Sequence, residues 1–229
     1  VCAMPSDADS FEDIALCGRL KADWLRRFLV LKNGIPSQDT FLRVFRVLDP
    51  KQFETVFRRW VGGIVGALDG VLAVDGKTLR RSADGDAPPV HMVSAFSTEL
   101  GLVLGQEKVA GKSNEITAIP ELLEALHIKG LLVSIDAMGC QREIAARIVR
   151  AHWAIENRLH WMLNVCFGED DCMIRKDHAP QNLSLLKKIV LNLIRADKTD
   201  TAKTSLRLKR KRAARDDDIR MKMLGNHPL

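Results

Sequence analysis

The chain of 229 residues contains no tyrosine, no long apolar run and no cysteine pair of the C-x-x-C type. Without tyrosine it cannot form the phosphotyrosine link that some recombinases, relaxases and topoisomerases use. No apolar stretch reaches the roughly 20 residues that a membrane span needs, and the first ten residues lack the charged-then-apolar order of a signal peptide. We therefore expect a cytoplasmic protein without a membrane partner.

The cysteines are few and odd in number: Cys2, Cys17, Cys140, Cys166 and Cys172. Because they form no metal-binding pair, the sequence indicates neither a disulfide framework nor a zinc ribbon. We expect reduced thiols without a structural role.

Positive charge is in excess and is concentrated near the C-terminus. The formal net charge is +6 and the pI is near 9.2, which favours a polyanionic partner such as DNA. A basic C-terminal tail is predicted over residues 198–229. Its central block is either a contact to the DNA backbone or a solvated surface, and both interpretations stay open. The block consists of Arg207, Lys209, Arg210, Lys211 and Arg212.

Residues 1–66 have the apolar spacing of short helices. Ser37 is a plausible N-cap for the second helix, and Pro50 suits the first position of the third. This helical domain is either a DNA-reading module or a helical cap with solvated arginines. The arginines concerned are Arg26, Arg27, Arg43, Arg46, Arg58 and Arg59.

From Gly70 the pattern changes to short apolar strands: VLAVD, VHMVSAFST and GLVLGQEKV. Their short connections predict an antiparallel meander, and a helix near ITAIPELLEALH then leads to LLVSID as a parallel strand. This β-β-β-α-β order predicts an α/β ribonuclease H-like core with a mixed sheet over residues 67–197. Its first and fourth strands end on Asp75 and Asp136, and acids at a sheet edge can bind divalent cations.

Several strings occur together that resemble the DDE transposases of bacterial insertion sequences, in the branch of the H-repeat-associated proteins. They include NGIPSQDTFLRVFRVLDP, AVDGKTLRRS, SIDAMGCQ and HWAIENRLHW, followed by FGEDDCMIRKDHAPQNLSLLKKIVLNLIR. The resemblance implies that Asp75, Asp136 and Glu156 are catalytic acids that hold two Mg²⁺ ions. It also implies cleavage and strand transfer of DNA at insertion-sequence ends. Lys77, Arg80 and Arg81 would then meet phosphates, or else form a solvated turn.

The chain departs from the family between its second and third acids, where a long segment is absent. Apolar residues continue at helical spacing from Ile144 to Cys166, which predicts one uninterrupted helix. Since 17 residues separate Gly139 from Glu156, a straight helix would carry Glu156 roughly 25 Å from Asp136. We therefore expect a defective copy whose third acid is out of reach. Completion of the site by a second copy, in a swapped dimer, is left open.

Two competing motifs are weaker. Gly70 to Thr78 resembles a Walker A loop, but it has five residues between its glycines and an apolar interior. His152, Glu156 and His160 share one helix face, yet they lack the His-Glu-x-x-His pattern of a zinc site. The alternative to a transposase is a DNA-binding remnant that regulates or interferes with an intact relative.

Overall fold

The structure is a computed structural model that describes residues 1–64, 70–109, 115–126, 131–135, 153–197 and 204–225. Its first part contains the helices α1 (Phe11–Leu20), α2 (Ala22–Arg26), α3 (Gln38–Val47) and α4 (Pro50–Ile64). The Ser37 hydroxyl accepts from the N–H of Thr40 at 3.2 Å. It therefore caps α3, and α4 begins at Pro50, as the sequence predicted.

The four strands are β1 (Val71–Thr78), β2 (His91–Ser97), β3 (Leu102–Val109) and β4 (Leu132–Ile135), and helix α5 (Glu115–Ala125) precedes β4. Their order in the sheet is β3-β2-β1-β4. Strand β1 pairs antiparallel with β2 and parallel with β4. The sheet is therefore the ribonuclease H-like core that the sequence predicted. The segment that resembled a Walker A loop is strand β1, so it is not a phosphate-cradling loop.

Strand β3 is the outer strand of the described sheet, and buried polar side chains cover its free edge. The Asn192 side chain makes two bonds to Val103, accepting from its N–H at 2.9 Å and donating to its carbonyl at 2.7 Å. The Glu54 carboxylate accepts from the N–H of Gln106 at 2.9 Å. These bonds satisfy backbone groups that would otherwise be free to pair with another chain. They also hold the helices that carry Glu54 and Asn192 against the sheet.

Helices form most of the C-terminal part of the structure. A π-helical turn (Glu156–His160) runs directly into α6 (Trp161–Phe167), followed by α7 (Ala179–Ala196), α8 (Leu206–Arg215) and α9 (Asp217–Met223). The Arg210 guanidinium of α8 donates to Asp9 at 2.6 Å and to the carbonyl of Met4 at 2.8 Å. The basic block predicted as a tail is therefore a helix that packs on the N-terminal segment.

Two further expectations from composition concern membrane-spanning helices and the state of the cysteines in the structure. In the part of the chain that it describes, no helix is both long and apolar enough to cross a membrane. Cys2, Cys17, Cys166 and Cys172 are free thiols, as expected, and Cys140 lies outside the described residues.

The buried carboxyl group of Glu54 should make folding stability depend on pH. Burial raises its pKa to about 7, although the bond from Gln106 favours the carboxylate. The folded pKa thus exceeds the unfolded value of about 4.3, so this group's contribution to stability is lost as pH rises from about 4.3 to about 7. Glu54→Gln should remove this loss. Between about pH 4.5 and pH 8, the free energy of unfolding of the variant should therefore rise by about 1 to 3 kcal/mol relative to that of wild type.

Urea unfolding at both pH values measures the difference. Glu121→Gln replaces an exposed carboxylate on α5 and serves as the control, for which we expect no comparable change. An equal pH response of the Glu54→Gln variant and wild type would contradict the assignment.

Candidate metal centre

Asp75 lies on β1, where it pairs with Ser94 of β2. Its side chain is only 10% exposed, and its Oδ1 atom accepts from the N–H of Gly76 at 2.8 Å. A Cβ atom at Gly76 would collide with the Glu115 carboxylate and the His91 imidazole. The glycine therefore permits Glu115 and His91 to pack closely against β1 next to Asp75 in the sequence.

Glu156 and His160 are the two ends of the π-helical turn. The N–H of Trp161 donates to the carbonyl of Glu156, which widens the helix by one residue relative to an α-helix. Ile155, Leu159 and Leu163 are fully buried at a spacing of four residues. Arg158, between them, donates to the carbonyl of Thr98 at 2.7 Å. The apolar stripe and this bond dock the turn on the sheet.

The docked turn brings Glu156 and His160 to Asp75. One ligand atom from each of the three side chains lies within 4.8 Å of the other two. His160 Nδ1 is 3.5 Å from Asp75 Oδ2 and 3.6 Å from Glu156 Oε1. The Glu156 side chain is 51% exposed, whereas that of His160 is 6% exposed. The cluster is thus buried on one side and open to solvent on the other, as a metal site that also binds a substrate must be.

His160 is neutral near pH 7. Burial lowers its pKa to about 4, even though the charge of Glu156 acts in the opposite direction. A neutral imidazole has a nitrogen lone pair, which is the form that binds metals. Its Nε2 atom is buried and, within the described part of the chain, has no hydrogen-bond partner.

Lys77, two residues after Asp75, ties β1 to the segment that follows α6. Its Nζ atom donates to Asn164, is 2.9 Å from Glu169 Oε2 and is 3.2 Å from Asp170 Oδ1. Burial alone would raise the pKa of Glu169, but the charges of Lys188, Lys77 and Lys187 outweigh it and lower that pKa. Glu169 is therefore a buried anion held by lysines.

The prediction that Glu156 lies out of reach is wrong with respect to Asp75. The prediction extended a straight helix from Gly139, whereas the position of Glu156 follows from the apolar stripe that docks its helix. The predicted helix is present from Trp153 to Phe167, and its earlier part lies outside the described residues. Asp136 also lies outside them, directly after Ile135, which pairs with Val74 of β1. His152 of the alternative histidine cluster lies outside them as well.

The structure separates the predicted DNA contacts into exposed and buried side chains. Arg210 is 1% exposed and its guanidinium lies over the Phe167 ring, so the prediction that it contacts DNA is wrong for the folded chain. Lys77 is largely buried in its ion pairs. Arg80 and Arg81 are exposed beside Asp170 and Asp171. On α8, Lys209 is half-buried, and Arg207, Lys211 and Arg212 are exposed.

Two members of this site were not assigned to it from the sequence. His160 follows Glu156 by four residues, which places both on one helix face, but no motif links them to Asp75. Glu169 lies in the string FGEDD, where its neighbour Asp170 is partly exposed and Asp171 is exposed. The pairing of Glu169 with Lys77, 92 residues away, has no local sequence signal.

Comparison with known proteins places the chain among transposases. Residues 1–61 match the family model described as DDE_Tnp_1-associated, and residues 66–149 match the one described as Transposase DDE domain. A protein of Escherichia coli O157:H7 named "Putative transposase YncI" is 30% identical over 330 positions, which cover 93% of this chain and 84% of that protein. The chain belongs to the DDE transposase family. No solved structure matches the chain significantly.

Two further relatives show how much of the family's length this chain covers. The "H repeat-associated putative transposase YhhI" of Escherichia coli K12 is 29% identical over 346 positions, covering 100% of this chain and 91% of that protein. Because 346 aligned positions exceed the 229 residues here, more than a hundred positions have no counterpart in this chain. An uncharacterized protein from the dhlA 3′ region of Xanthobacter autotrophicus is 47% identical, covering 66% of this chain and 52% of that protein. The chain thus spans about half of that relative's length.

Breaking the pair between Lys77 and Glu169 should destabilise the folded protein. The Lys77 side chain is 13% exposed and that of Glu169 is 3% exposed, so Lys77→Met leaves a buried carboxylate with one partner fewer. We expect a loss of about 3 kcal/mol in the free energy of unfolding, measured in urea.

The control is Arg80→Met, which removes a contact of 3.5 Å from a side chain that is 78% exposed. It should cost less than about 0.5 kcal/mol, because exposed ion pairs contribute little. Equal losses in the two variants would contradict a special role for Lys77.

Proposed function

We propose that this chain is a DNA transposase that carries out metal-dependent phosphoryl transfer: cleavage and strand transfer at insertion-sequence ends. The observation that carries the proposal is the convergence of Asp75 and Glu156, with His160, on one partly open site. Asp136 is proposed as the third acid, because it follows β4, the parallel neighbour of β1. The family resemblance assigns three of these residues to catalysis: Asp75, Asp136 and Glu156.

The donor set of this site fits a divalent cation. Asp75 and Glu156 offer carboxylate oxygens, which suit hard ions such as Mg²⁺. A bound pair of such ions stabilises the attacking and leaving oxygens in an in-line displacement at phosphorus. The residues named here would hold the ions and orient the phosphate. Water or a DNA 3′-hydroxyl would be the nucleophile.

The proposed DNA surface includes the outer face of α8. Arg207 and Lys211 are four residues apart and exposed, with Arg212 beside them, while Arg210 points into the protein. Lysines and arginines on one helix face can neutralise successive phosphates and release their counterions. Arg80 and Arg81 lie near the carboxylates of residues 170 and 171, and we propose that they contact the DNA strand closer to the site.

The catalytic part of the proposal predicts a metal-dependent nick. The full chain, incubated with Mg²⁺ or Mn²⁺ and duplex DNA from both sides of its own gene, should release strands with new 3′-hydroxyl ends. Asp75→Asn or Glu156→Gln should lower the rate by at least about a hundredfold, because each removes a charge that the transition state requires.

Glu99 is exposed and lies outside this cluster. Glu99→Gln therefore serves as the matched control for charge removal. Nicking that persists in Asp75→Asn, or that ignores chelation by EDTA, would contradict the proposed catalysis.

A second candidate is a DNA-binding remnant without catalysis. It is favoured by one observation, the more than a hundred positions of the YhhI alignment, 346 in all, that have no counterpart in this chain of 229 residues. Such a protein would bind DNA and interfere with an intact relative. Binding without any metal-dependent nick would support it over the enzyme.

Both candidates require DNA binding through α8. Replacing Arg207 and Lys211 together by alanine should weaken binding to a labelled duplex and lower the slope of log affinity against log salt by about two, one per lost phosphate contact. Fluorescence anisotropy across a range of salt concentrations measures both quantities.

Lys32→Ala removes an exposed charge from the loop before α3 and should leave the slope unchanged. If the double variant keeps the wild-type slope, α8 is not part of the DNA surface.

A further inference from the structure

His160 has no part in the acid set that the family resemblance implies, yet it is the most buried of the three clustered side chains. It is 5% exposed as a residue, and Nδ1 lies between the two carboxylates. Its distances of 3.5 and 3.6 Å exceed the 2.7 to 2.9 Å of a strong charged hydrogen bond. They approach the spacing of about 3.0 to 3.6 Å between adjacent ligands whose bonds to one metal are about 2.0 to 2.2 Å long.

The surroundings of His160 hold Nδ1 in this place. Leu159 and Leu163, on the same turn and helix, are fully buried, so the backbone that carries the imidazole is docked on the sheet. Lys77 restrains the neighbouring strand through Glu169 at 2.9 Å. The other ring nitrogen, Nε2, has no hydrogen-bond partner among the residues that the structure describes. A buried ring with one nitrogen between two carboxylates is suited to binding a cation through that nitrogen.

We propose that His160 binds the divalent ion directly through Nδ1, so that Asp75, Glu156 and His160 form a mixed oxygen and nitrogen site. The inference rests on the metal-binding part of the proposed function. Imidazole is a poor ligand for Mg²⁺ and a good one for first-row transition ions. The site should therefore favour Mn²⁺ over Mg²⁺, with one nitrogen ligand that a purely carboxylate site would lack.

The test uses the full chain loaded with Mn²⁺ alone. Pulsed electron paramagnetic resonance should detect one directly bound ¹⁴N nucleus on the Mn²⁺. Growth with ¹⁵N-histidine should replace the ¹⁴N signal by the ¹⁵N signal in the wild-type protein, which identifies the ligand as histidine without any mutation. Mn²⁺ bound without nitrogen coupling would overturn the inference, and so would no Mn²⁺ binding.

Variants then assign the nitrogen to one histidine. His160→Gln should abolish the coupling and weaken Mn²⁺ binding by about tenfold or more, while Mg²⁺ binding changes by less than about threefold. His178→Gln, an exposed histidine before α7, is the matched control. His152→Gln tests the histidine of the alternative cluster. Coupling that survives His160→Gln, or that disappears in His152→Gln, would overturn the assignment.

Two outcomes separate this inference from the proposed catalysis. If Asp75-dependent nicking is found but bound Mn²⁺ shows no nitrogen coupling, His160 is not a ligand and the transposase proposal stands. If nitrogen-coupled Mn²⁺ is found without any nicking, the site binds metal as inferred and the catalytic proposal fails.

Discussion

The ion pair between Lys77 and Glu169 fixes the two halves of the site relative to each other. Lys77 lies on the same face of β1 as Asp75, two residues further on, and Glu169 lies two residues beyond the end of the helix that begins at the Glu156 turn. Their atoms are 2.9 Å apart and nearly buried. Because separating them would leave a buried carboxylate with one partner fewer, strand and helix are held together where the acids meet.

This pair belongs to a network of buried polar side chains that connects β1 with β3. Glu169 accepts from Ser184 at 3.0 Å, and Lys188 donates to Ser184 at 3.0 Å and to Gln106 at 2.6 Å. The N–H of Gln106 donates to Glu54 at 2.9 Å, which lies on α4. The N-terminal helices and the metal-binding face therefore share one network. Such networks favour one arrangement of the elements, because each alternative leaves a buried polar group unsatisfied.

The sheet could be predicted because its signals are local: short apolar runs, connections of suitable length and an acid at the end of the first run. Strand β1 itself continues past that acid, Asp75, to Thr78. The N-cap at Ser37 and the proline that begins α4 are local in the same way. The position of Glu156 could not be predicted by counting residues from Gly139, since packing of Ile155 and Leu159 decides it. The burial of Arg210 could not be predicted from the sequence either. Its neighbours in the basic block are mostly exposed, and its partners Asp9 and Met4 are some 200 residues away.

The packing that brings Glu156 to Asp75 is present although the chain is shorter than its relative. More than a hundred aligned positions of a relative are absent, yet Asp75 and Glu156 meet within 4.8 Å. The absent segment is therefore not needed to bring these two acids together. Contacts on the sheet and the Lys77 pair are sufficient, because they act on residues that this chain retains. The length of the chain alone is thus a weak argument for inactivity, and the decisive property is whether the ligand set around Asp75 and Glu156 is complete.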